Sequence, residues 1–405
     1  MSADDRRRVL LIDRIGYSHY RRHDGSPFMP ADRFAVTVLT DRAKVGEVSG
    51  AEIDAVIGID LDDVPLMLKA GEMVHRHRPL DLVVAISERL LLPAARLRDR
   101  LGIPGQSEER TLLVRNKLRM KEHLGGLGVR VPWHEPFSPE AVATLLERHG
   151  RVVLKPTEGM ASTGVFFLDR IEQLRPVLDA NPGLDRANYE VEEFIDGNLH
   201  HVDSVVRDGE PVVATVSRTV DPTTSYHDAA PCRDHNIGPG PDREALLAFN
   251  AAVLKCFPWF SGVTHHEMFL DRAGEVVFCE IAGRPGGGGI IPGFRHQTGV
   301  DLDEAAVMAQ LGDALPVPAK DPATDPVPLI GYVMVYQPGG VLEATPAAPD
   351  VPWLVDLAYL RRPGDVLPVP TRWSDAVAAV TVEGATESEV LDRLDHMVRH
   401  VRGTG

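Results

Sequence analysis

The chain has 405 residues, which is too long for one compact core and predicts two or three domains. Its apolar content of 43% and charged content of 25% are ordinary for a soluble globular protein. The net charge of −16 argues against a nucleic-acid partner, which requires a basic face, but a nucleotide is not excluded because a pocket can be locally positive.

Cysteine usage and the N-terminus predict a cytoplasmic protein. The three cysteines, Cys232, Cys256 and Cys279, are odd in number and widely spaced, so we expect neither a disulfide framework nor a zinc site. The first residues lack the long apolar core of a signal peptide. A run of about 20 apolar residues, which a membrane span requires, does not occur, so we expect no membrane partner.

Residues 1–105 predict a small α/β domain with an open parallel sheet. Short apolar runs at 9–13, 35–39, 55–59 and 82–86 indicate buried strands, with a helical pattern at 65–78. A single glycine, Gly16, follows the first strand instead of G-x-G-x-x-G, so a dinucleotide fold is poorly supported. The loop at 17–23 leaves the carboxyl end of that strand, where open sheets bind ligands, with a solvated loop as the alternative.

Two lysines and a small-residue loop indicate a phosphate site. Residues 107–124 predict one helix on which Lys117 and Lys121 share a face, although a solvated face is the alternative. After a helix at 139–149, a strand at 152–154 ends in Lys155, and the loop 157–164 leads to a strand at 165–168. A lysine facing such a loop can hold phosphate oxygens. The spacing is not that of a P-loop, and a hairpin with a flexible turn is the alternative.

The middle of the chain predicts strands, a long loop and a helix. Strands are expected at 189–195, 200–206 and 212–216, with a turn at 196–198. Residues 217–240 are rich in Pro, Thr, His and Asp and have weak periodicity, so we expect a loop of the kind that often forms an active-site lid. An amphipathic helix is expected at 242–256.

A hairpin late in the chain suggests a metal site. Runs at 264–270 and 275–281, joined by a turn that ends in Gly274, predict antiparallel strands on which Glu267 and Glu280 lie side by side. Alternation places Glu267 on the face of His265 and Glu280 on the face of Phe278. Two adjacent carboxylates need a cation between them, and a pair of oxygen ligands suits Mg²⁺.

An anion site is predicted directly after this hairpin. Arg284 is followed by four glycines at 286–289, and an arginine beside a flexible backbone suits an anion. The whole stretch therefore indicates metal plus phosphate, with a surface hairpin carrying exposed acids as the alternative. The remaining sequence predicts a helix at 302–311, strands at 330–335, 341–344 and 377–382, and a terminal helix at 387–401.

Taken in order, four segments resemble the ATP-grasp superfamily, most closely its carboxylate–amine ligases that join amino acids or small peptides. They are NKLRMKEHLGGLGVRVP, VVLKPTEGMASTGV, VEEFIDGNLHHVD and HEMFLDRAGEVVFCEIAGRPGG. The resemblance implies the ATP-grasp fold, of α/β class with α+β lobes. Its parts would be an open parallel-sheet domain at 1–105, a small lobe at 106–188, a large lobe at 189–325 that carries the metal site, and a small closing subdomain at 326–405. The two lobes would clamp ATP between them.

The resemblance also implies a role for each matched residue. Lys117 and Lys155 would hold the α- and β-phosphates, and the loop 157–164 would close over the triphosphate. Glu267 and Glu280 would carry one or two Mg²⁺ or Mn²⁺ ions, with Arg284 at the γ-phosphate and the acyl phosphate made from it. Lys155, Glu280 and Arg284 are the expected catalytic residues. Further contacts of ATP in the loop would be Thr157, Glu158, Ser162, Thr163 and Gly164. The hinge that holds adenine would be Glu192, Glu193, Phe194 and Ile195. His200 would lie near the ribose, with His201 as the alternative for that role.

Two positions depart from the family pattern. Leu199 stands four residues beyond the hinge residue Ile195, where many members have glutamate. The usual E-x-N of the metal strand ends here in Ala282, so the asparagine is missing and His265 or water would fill its place.

The implied reaction activates a small-molecule acid as an acyl phosphate and joins it to an amine, with release of ADP and phosphate. A carboxylase or a purine-type formyl or carboxy ligase is one alternative, although the chain lacks an A-M-K-M biotinyl segment, and a catalytically silent ATP-binding module is another. Family members are commonly dimers, so a homodimer is expected. The expected substrate contacts besides Arg284 are His265, Gly286, Gly287, Tyr226 and His296, with His227, Arg233 and His235 from the long loop; each loop residue alone is more often a surface residue.

Overall fold

The first sheet is parallel and comes from the N-terminal quarter of the chain. The computed structural model describes residues 5–222 and 224–403. Residues 1–4, which belong to the N-terminal segment for which no signal peptide is expected, lie outside the described residues. The elements are β1 (Arg7–Asp13), β2 (Phe34–Asp41), β3 (Ile53–Ile59), α1 (Val64–His77), β4 (Leu82–Val84) and α2 (Leu91–Leu101). The strand order β3-β2-β1-β4, with every pair parallel, confirms the predicted open sheet.

The single helix predicted at 107–124 is in fact two helices, α3 (Glu108–Leu112) and α4 (Lys117–Gly126). The side chain of Asn116 accepts a hydrogen bond from the Arg119 N–H and so caps α4. Between the helices, the buried Arg115 guanidinium donates to the carbonyls of Glu88 and Glu158 at 3.2 and 2.7 Å. The break therefore places Lys117 in the first turn of α4.

A small lobe follows, built on a four-stranded antiparallel sheet. Its elements are β5 (His134–Pro136), α5 (Pro139–His149), β6 (Val152–Pro156), β7 (Phe166–Leu168), α6 (Leu174–Ala180) and β8 (Tyr189–Glu193). The strand order is β5-β8-β6-β7, and Lys155 on β6 pairs with Glu190 on β8. The predicted helix at 139–149 and the strands on both sides of the loop 157–164 are confirmed.

The next elements begin the large sheet. They are β9 (Gly197–Arg207), β10 (Glu210–Thr219), β11 (Cys232–Asn236), α7 (Pro241–Lys255), β12 (Gly262–Asp271), β13 (Val276–Ala282), α8 (Ile290–Thr298) and α9 (Leu302–Leu311). The prediction of one long loop at 217–240 was wrong, because β10 extends to Thr219 and β11 lies within the sheet. The polar composition of β11 concealed the strand: Asn236 is buried and donates to the Ser217 hydroxyl at 3.0 Å.

The C-terminal strands extend the same sheet. The elements are β14 (Leu329–Val335), β15 (Gly340–Val341), β16 (Leu354–Tyr359), β17 (Val366–Leu367), β18 (Ala378–Gly384) and α10 (Glu387–Arg402). The large sheet has eight strands in the order β13-β12-β9-β10-β11-β14-β18-β16, and β15 and β17 form a separate ribbon. The terminal helix and the strands around 330–335 and 377–382 match the prediction, whereas α8, β16 and β17 were not expected.

Strand β1 joins the N-terminal domain to the large sheet. Its alternate residues face two cores: Leu10 and Ile12 pack in a core with α1 and α2, while Val9 and Leu11 share a core with residues of α9. Burial on both faces is typical of a strand in a parallel sheet. Within the described ranges, all helices are too short or too polar to cross a lipid bilayer.

The α1–α2 contact generates a stability prediction. A Cβ on Gly71 would lie 2.4 Å from Cδ2 of Leu97, whose side chain is fully buried, so Gly71→Ala should destabilise the fold by about 1–3 kcal/mol through overpacking. Gly126→Ala, at the end of α4, is the control because a Cβ there meets no atom within 4 Å. Urea unfolding measures both variants, and equal midpoints would contradict the packing argument.

Candidate active site

The two glutamates predicted as metal ligands lie directly opposite each other. In the pairing of β12 with β13, Glu267 faces Glu280, and the register then skips Cys279. Cys279 is the extra residue of a β-bulge, a feature that re-aims side chains. The expectation that Glu280 shares a face with Phe278 was therefore wrong: the Phe278 ring lies against His266, on the other side of the sheet.

Lys117 reaches this carboxylate pair from α4. Its Nζ lies 2.5 Å from Oε2 of Glu280 and donates to the Gly159 carbonyl at 3.0 Å. Burial disfavours the Glu280 anion, but the Lys117 ammonium outweighs burial and lowers the pKa of Glu280 to about 2. A residue expected to hold phosphate is thus in direct contact with a residue expected to hold metal.

Lys155 belongs to a buried chain of alternating charges in the small lobe. Its Nζ lies 2.5 Å from Oε1 of Glu192. Lys121 contacts Glu192 from the other side, and its Nζ lies 2.6 Å from Oε1 of Glu190. Burial opposes ionisation of Glu192, yet Lys121 and Lys155 together lower its pKa to about 2. These ion pairs tie α4 to β6 and β8.

Lys121 has a larger role than its sequence pattern indicated. The alternative of a solvated face for Lys117 and Lys121 is excluded, because their side chains are only 11% and 0% exposed. The available signal was the pair of acids two residues apart on β8, Glu190 and Glu192, which alternation places on one face. Two buried acids require more than one cation, and Lys155 alone would leave one of them without a partner.

Arg284 is paired with an acid from the N-terminal domain. Its Nε donates to the Glu88 carboxylate, and its Nη1 donates to the Pro285 carbonyl at 2.6 Å. Glu88 also lies 3.0 Å from Nε of Arg115, so one carboxylate joins two largely buried guanidinium groups. Glu88 follows β4 at the carboxyl edge of the parallel sheet, where open sheets bind ligands. The sequence analysis missed it, although an acid just beyond a buried strand was a usable signal.

The base of the loop 157–164 is fixed by neighbouring elements. The Thr157 N–H donates to the Asn188 carbonyl at 2.8 Å, and the Thr157 carbonyl accepts from the Lys117 N–H at 2.8 Å. The Glu158 carboxylate accepts from Nδ2 of Asn116 at 3.1 Å. The loop is therefore attached to the start of α4, next to the Lys117 side chain.

The tip of this loop has an unusual backbone and contacts Tyr226 of the large lobe. Ala161 and Ser162 have φ values of 51° and 54°, and Gly164 has 75°. Such values are uncommon for residues other than glycine. The Tyr226 hydroxyl donates to the Ala161 carbonyl at 3.3 Å, so this expected substrate contact touches the loop. Thr163 also hydrogen-bonds to the Tyr226 hydroxyl.

The side chains of the expected adenine hinge are engaged inside the protein. The Glu192 carboxylate lies between two lysines, and the Glu193 carboxylate accepts from Nη2 of Arg130 at 3.2 Å. The Phe194 ring is covered by the Arg151 guanidinium, 4.3 Å from the ring centroid. Ile195 is 8% exposed. In this state the carboxylates of Glu192 and Glu193 are not available to a ligand.

Three residues form a buried hydrogen-bonded group beside the glutamates, which we call the His triad: His201, Asp203 and His265. The Nδ1 atoms of His265 and His201 lie 2.9 and 2.7 Å from the two carboxylate oxygens of Asp203. Nε2 of His265 lies 3.4 Å from Oε1 of Glu267. Burial disfavours these ions, but the two histidines hold the pKa of Asp203 well below its usual value, and Asp203 and Glu267 raise the pKa of His265 to about 10.

Of the two histidines considered for the ribose, only His201 lies on the face of the glutamates. His201 pairs with Glu267 in the β9–β12 register, whereas His200 pairs with Met268. Alternation turns His200 to the opposite face, where its Nδ1 lies 3.0 Å from the Asn198 carbonyl. The expected placement of His200 at the site is therefore wrong, because one residue along a strand changes the face.

Four further expected substrate contacts have other partners than the two glutamates. Their observed neighbours are Asp221 and Asp395 for Arg233, Glu383 for His296, the Asn236 carbonyl for His235, and the Tyr226 ring for His227.

Gly286, in contrast, lies against the His triad. A Cβ on Gly286 would be 2.9 Å from Nδ1 of His265 and 3.0 Å from Oδ1 of Asp203, so only glycine fits. Gly287 faces open space.

Models of two protein families match parts of this chain. A model of the ATP-grasp N-terminal domain matches residues 34–105, and a model of the ATP-grasp domain matches residues 149–292. Together the two matches extend over more than half of the chain. The chain belongs to the ATP-grasp superfamily. The resemblance stated from the four sequence segments is thereby confirmed.

Individual proteins of known structure agree with the ATP-grasp fold. An L-amino acid ligase from Bacillus licheniformis superimposes with a TM-score of 0.77 at 16% identity, covering 98% of both chains. The biotin carboxylase domain of the 2-oxoglutarate carboxylase from Hydrogenobacter thermophilus gives a TM-score of 0.71 at 15% identity, covering 96% of this chain and 89% of that one. The predicted fold class, α/β with an open parallel sheet and antiparallel lobes, is confirmed.

An L-arginine-specific L-amino acid ligase from Bacillus subtilis is similar in sequence. It is 24% identical over 255 residues. The match spans 61% of this ATP-grasp chain and 62% of that relative, which is less than two thirds of its length.

The buried ion pairs of Lys121 and Lys155 with Glu190 and Glu192 predict that Lys121→Met loses much of its stability. Glu190 and Glu192 would then share one cation, and breaking a buried ion pair costs about 3–5 kcal/mol. Lys69→Met, at an exposed position of α1, is the matched control and should have almost no effect. Urea unfolding at neutral pH measures the difference.

The dependence of stability on pH gives a second measurement for the Lys121→Met variant. The pKa of Glu192 is lowered from 4.5 to about 2, so the stability that its ionised form contributes is present above pH 4.5 and is lost as the pH falls towards 2. In Lys121→Met this loss should begin at higher pH, because one of the two cations is gone. Identical acid profiles of the variant and the wild type would contradict the assignment.

Proposed function

We propose that the protein is an ATP-dependent carboxylate–amine ligase that forms an acyl phosphate and then an amide bond. The observation that supports this most directly is the proximity of three cations and two acids from distant parts of the chain: Lys117, Lys155, Arg284, Glu267 and Glu280. The charges of Lys117 and Lys155 both act on Glu280, and those of Glu280 and Glu267 both act on Arg284. Each of the three cations is paired with a carboxylate of the protein itself. Such a group of cations suits a polyanion that can replace those carboxylates.

The Glu267–Glu280 pair fits a divalent metal ion. The two acids are directly opposite on adjacent strands, where like charges repel unless a cation lies between them. The Lys117 ammonium supplies that positive charge to Glu280 in this structure. We therefore assign Glu267 and Glu280 as ligands of one or two Mg²⁺ or Mn²⁺ ions. When bound, such an ion neutralises phosphate charge and orients the transferred group.

In this proposal ATP lies between the small lobe and the large sheet. Lys117 and Lys155 bind the α- and β-phosphates, and Arg284 faces the γ-phosphate. Binding requires Lys117 to leave Glu280 and Lys155 to leave Glu192. The expected ATP contacts are the loop residues Thr157, Glu158, Ser162, Thr163 and Gly164, and the hinge 192–195 through its main chain. His201 replaces His200 as the candidate near the ribose, since it lies on the site face.

The chemistry has two steps. A carboxylate oxygen of the acid attacks the γ-phosphorus, the bond from that phosphorus to the β–γ bridging oxygen breaks, and ADP leaves with the electron pair. The amine nitrogen then attacks the carbonyl carbon of the acyl phosphate, loses a proton, and expels phosphate. Arg284 stabilises the oxyanion that develops at the carbonyl. Closure of the loop 157–164 excludes water, which would hydrolyse the acyl phosphate.

The relatives support amino acids as the substrate class. The matching curated protein is named as an L-amino acid ligase, and so is one of the similar structures. We propose an amino acid or a small peptide-like acid as the activated substrate and an amine as its partner, in the biosynthesis of a natural product. We also propose a cytoplasmic homodimer with the parts 1–105, 106–193, 194–325 and 326–405, in which the expected boundary at 188 moves to 193 because β8 pairs within the sheet of the small lobe. A carboxylase shares the nucleotide site, and the similarity to a biotin carboxylase domain makes it the second candidate.

The test is ADP release from ATP and Mg²⁺ in the presence of pairs of amino acids, with mass spectrometry of the products. Amino-acid-dependent ADP release together with a dipeptide supports the ligase. ADP release that depends on bicarbonate instead supports the carboxylase. ATP binding without turnover in any acid–amine pair or with bicarbonate supports a silent ATP-binding module.

The metal assignment predicts the effect of Glu280→Gln. Loss of one carboxylate removes several kcal/mol of charge stabilisation, so ADP formation should fall by at least about a hundredfold while the fold is retained. Glu275→Gln, an exposed glutamate in the turn of the same hairpin, is the matched control and should be near wild type. Near-normal turnover of Glu280→Gln would count against Glu280 as a metal ligand.

A further inference from the structure

The His triad lies beside the metal carboxylates, and the proposed function so far gives a role only to its member His201. His265 precedes Glu267 by two residues on β12, so both side chains project from one face. Nε2 of His265 lies 3.4 Å from Oε1 of Glu267. Two donor atoms bound at about 2.1 Å to one octahedral ion lie about 3 Å apart. The two atoms are thus close to the separation of neighbouring ligands.

Asp203 determines which nitrogen of His265 can bind an ion. One Asp203 oxygen lies 2.9 Å from Nδ1 of His265, and the other lies 2.7 Å from Nδ1 of His201. Both oxygens are therefore occupied by imidazole N–H groups, which makes Asp203 a support for the rings and not a ligand. A carboxylate that accepts from one ring nitrogen fixes the tautomer and leaves the other nitrogen to the metal, as in most metal-bound histidines.

The main chain closes the His triad on the Nδ1 side of His265. The main chain at Gly286 approaches so closely that a Cβ would lie 2.9 Å from Nδ1 of His265 and 3.0 Å from Oδ1 of Asp203. On the other side, the side chains of His265, Glu267 and Glu280 are 12%, 26% and 20% exposed. An ion can therefore approach Nε2 together with both carboxylates.

The residue opposite His265 offers no ligand of its own. Ala282 pairs with His265 in the β12–β13 register and carries only a methyl group. Residue 282 is two residues beyond Glu280, where alternation would direct a longer side chain to the same face. The methyl group leaves space for the imidazole ring at this end of the carboxylate pair.

We propose that Nε2 of His265 is the third protein ligand of the ion held by Glu267 and Glu280, and that this mixed nitrogen–oxygen site favours Mn²⁺ over Mg²⁺. The inference rests on the proposed function, because the metal site is part of it. Mg²⁺ binds mainly oxygen ligands in near-ideal octahedral geometry, whereas imidazole is a ligand of transition-metal ions. The ion takes the place of the proton on Nε2. Asp203 and His201 are positioning residues that orient the ring.

Pulsed electron paramagnetic resonance of Mn²⁺ bound with ADP tests the ligand directly, without turnover. ADP binds the ion through phosphate oxygens, so a ¹⁴N coupling of the size given by coordinated imidazole must come from the protein. We expect this coupling in the wild type and in His77→Gln, which removes an exposed imidazole from α1. We expect its loss in His265→Gln. A wild type without the coupling, or a His265→Gln variant that keeps it, overturns the proposal.

Equilibrium dialysis supplies the second measurement. His265→Gln should weaken Mn²⁺ binding to the ADP complex by at least about tenfold and should change Mg²⁺ binding much less, so the preference for Mn²⁺ narrows. Equal losses for both ions overturn the selectivity. If His265→Gln does not fold by circular dichroism, wild type grown with ¹⁵N-histidine replaces it, and a ¹⁴N coupling of unchanged size in that sample overturns the proposal. Failure of the wild type to bind either ADP or metal contradicts the proposed function itself, whereas a missing ¹⁴N coupling with bound Mn²⁺ contradicts only the ligand assignment.

Discussion

The contact between Nζ of Lys117 and Oε2 of Glu280 holds the candidate site together. It joins α4, which precedes the sheet of the small lobe, to β13, which is an edge strand of the large sheet. A charge removed from water costs several kcal/mol unless a partner is close, so the burial of each group depends on the other. The same dependence applies to Lys155 with Glu192 and to the Arg284–Glu88 pair. The elements around the site are therefore positioned by charge pairing across long separations in the chain.

In the proposed function, this pairing couples the binding of nucleotide to the binding of metal. A phosphate that takes Lys117 leaves Glu280 without a cation, and an ion that takes Glu280 leaves Lys117 without an anion. Each ligand alone thus produces one unpaired charge, while the two together restore both pairs. Coupling of this kind is reciprocal, because the factor by which one ligand strengthens the other is the same in both directions. Lys155 differs in degree, since Glu192 still contacts Lys121 when Lys155 moves to a phosphate, although Glu190 and Glu192 then share that one cation.

The parts of the site that were predictable from sequence are those encoded within short stretches. The carboxylate hairpin, the strand that ends in Lys155 and the loop after it each carry their own turn and alternation signals. The contacts Arg284–Glu88 and Lys121–Glu190 join residues 196 and 69 positions apart, and no local pattern relates such residues. Strand β11 was missed for a different reason: its Asp, His and Asn side chains are buried in hydrogen-bonded positions, which gives a strand the composition of a loop. The alternation of side chains along β9 also could not show whether His200 or His201 faces the site, because the face that each occupies depends on the register with β12.

The position of Glu280 shows that a shift of one residue in the strand register determines which side chains reach the site. From the turn up to Met268, β12 and β13 pair without interruption, and Met268 faces Phe278. If that register continued, Glu267 would face Cys279, and Glu280 would face His266, whose side chain is buried on the α7 side and bonded to Asn250. The bulge at Cys279 shifts the pairing by one residue and moves Glu280 to the face of Glu267. A turn and two apolar runs predict the hairpin, but only the extra residue brings the two carboxylates, Lys117 and the His triad to the same side of the sheet.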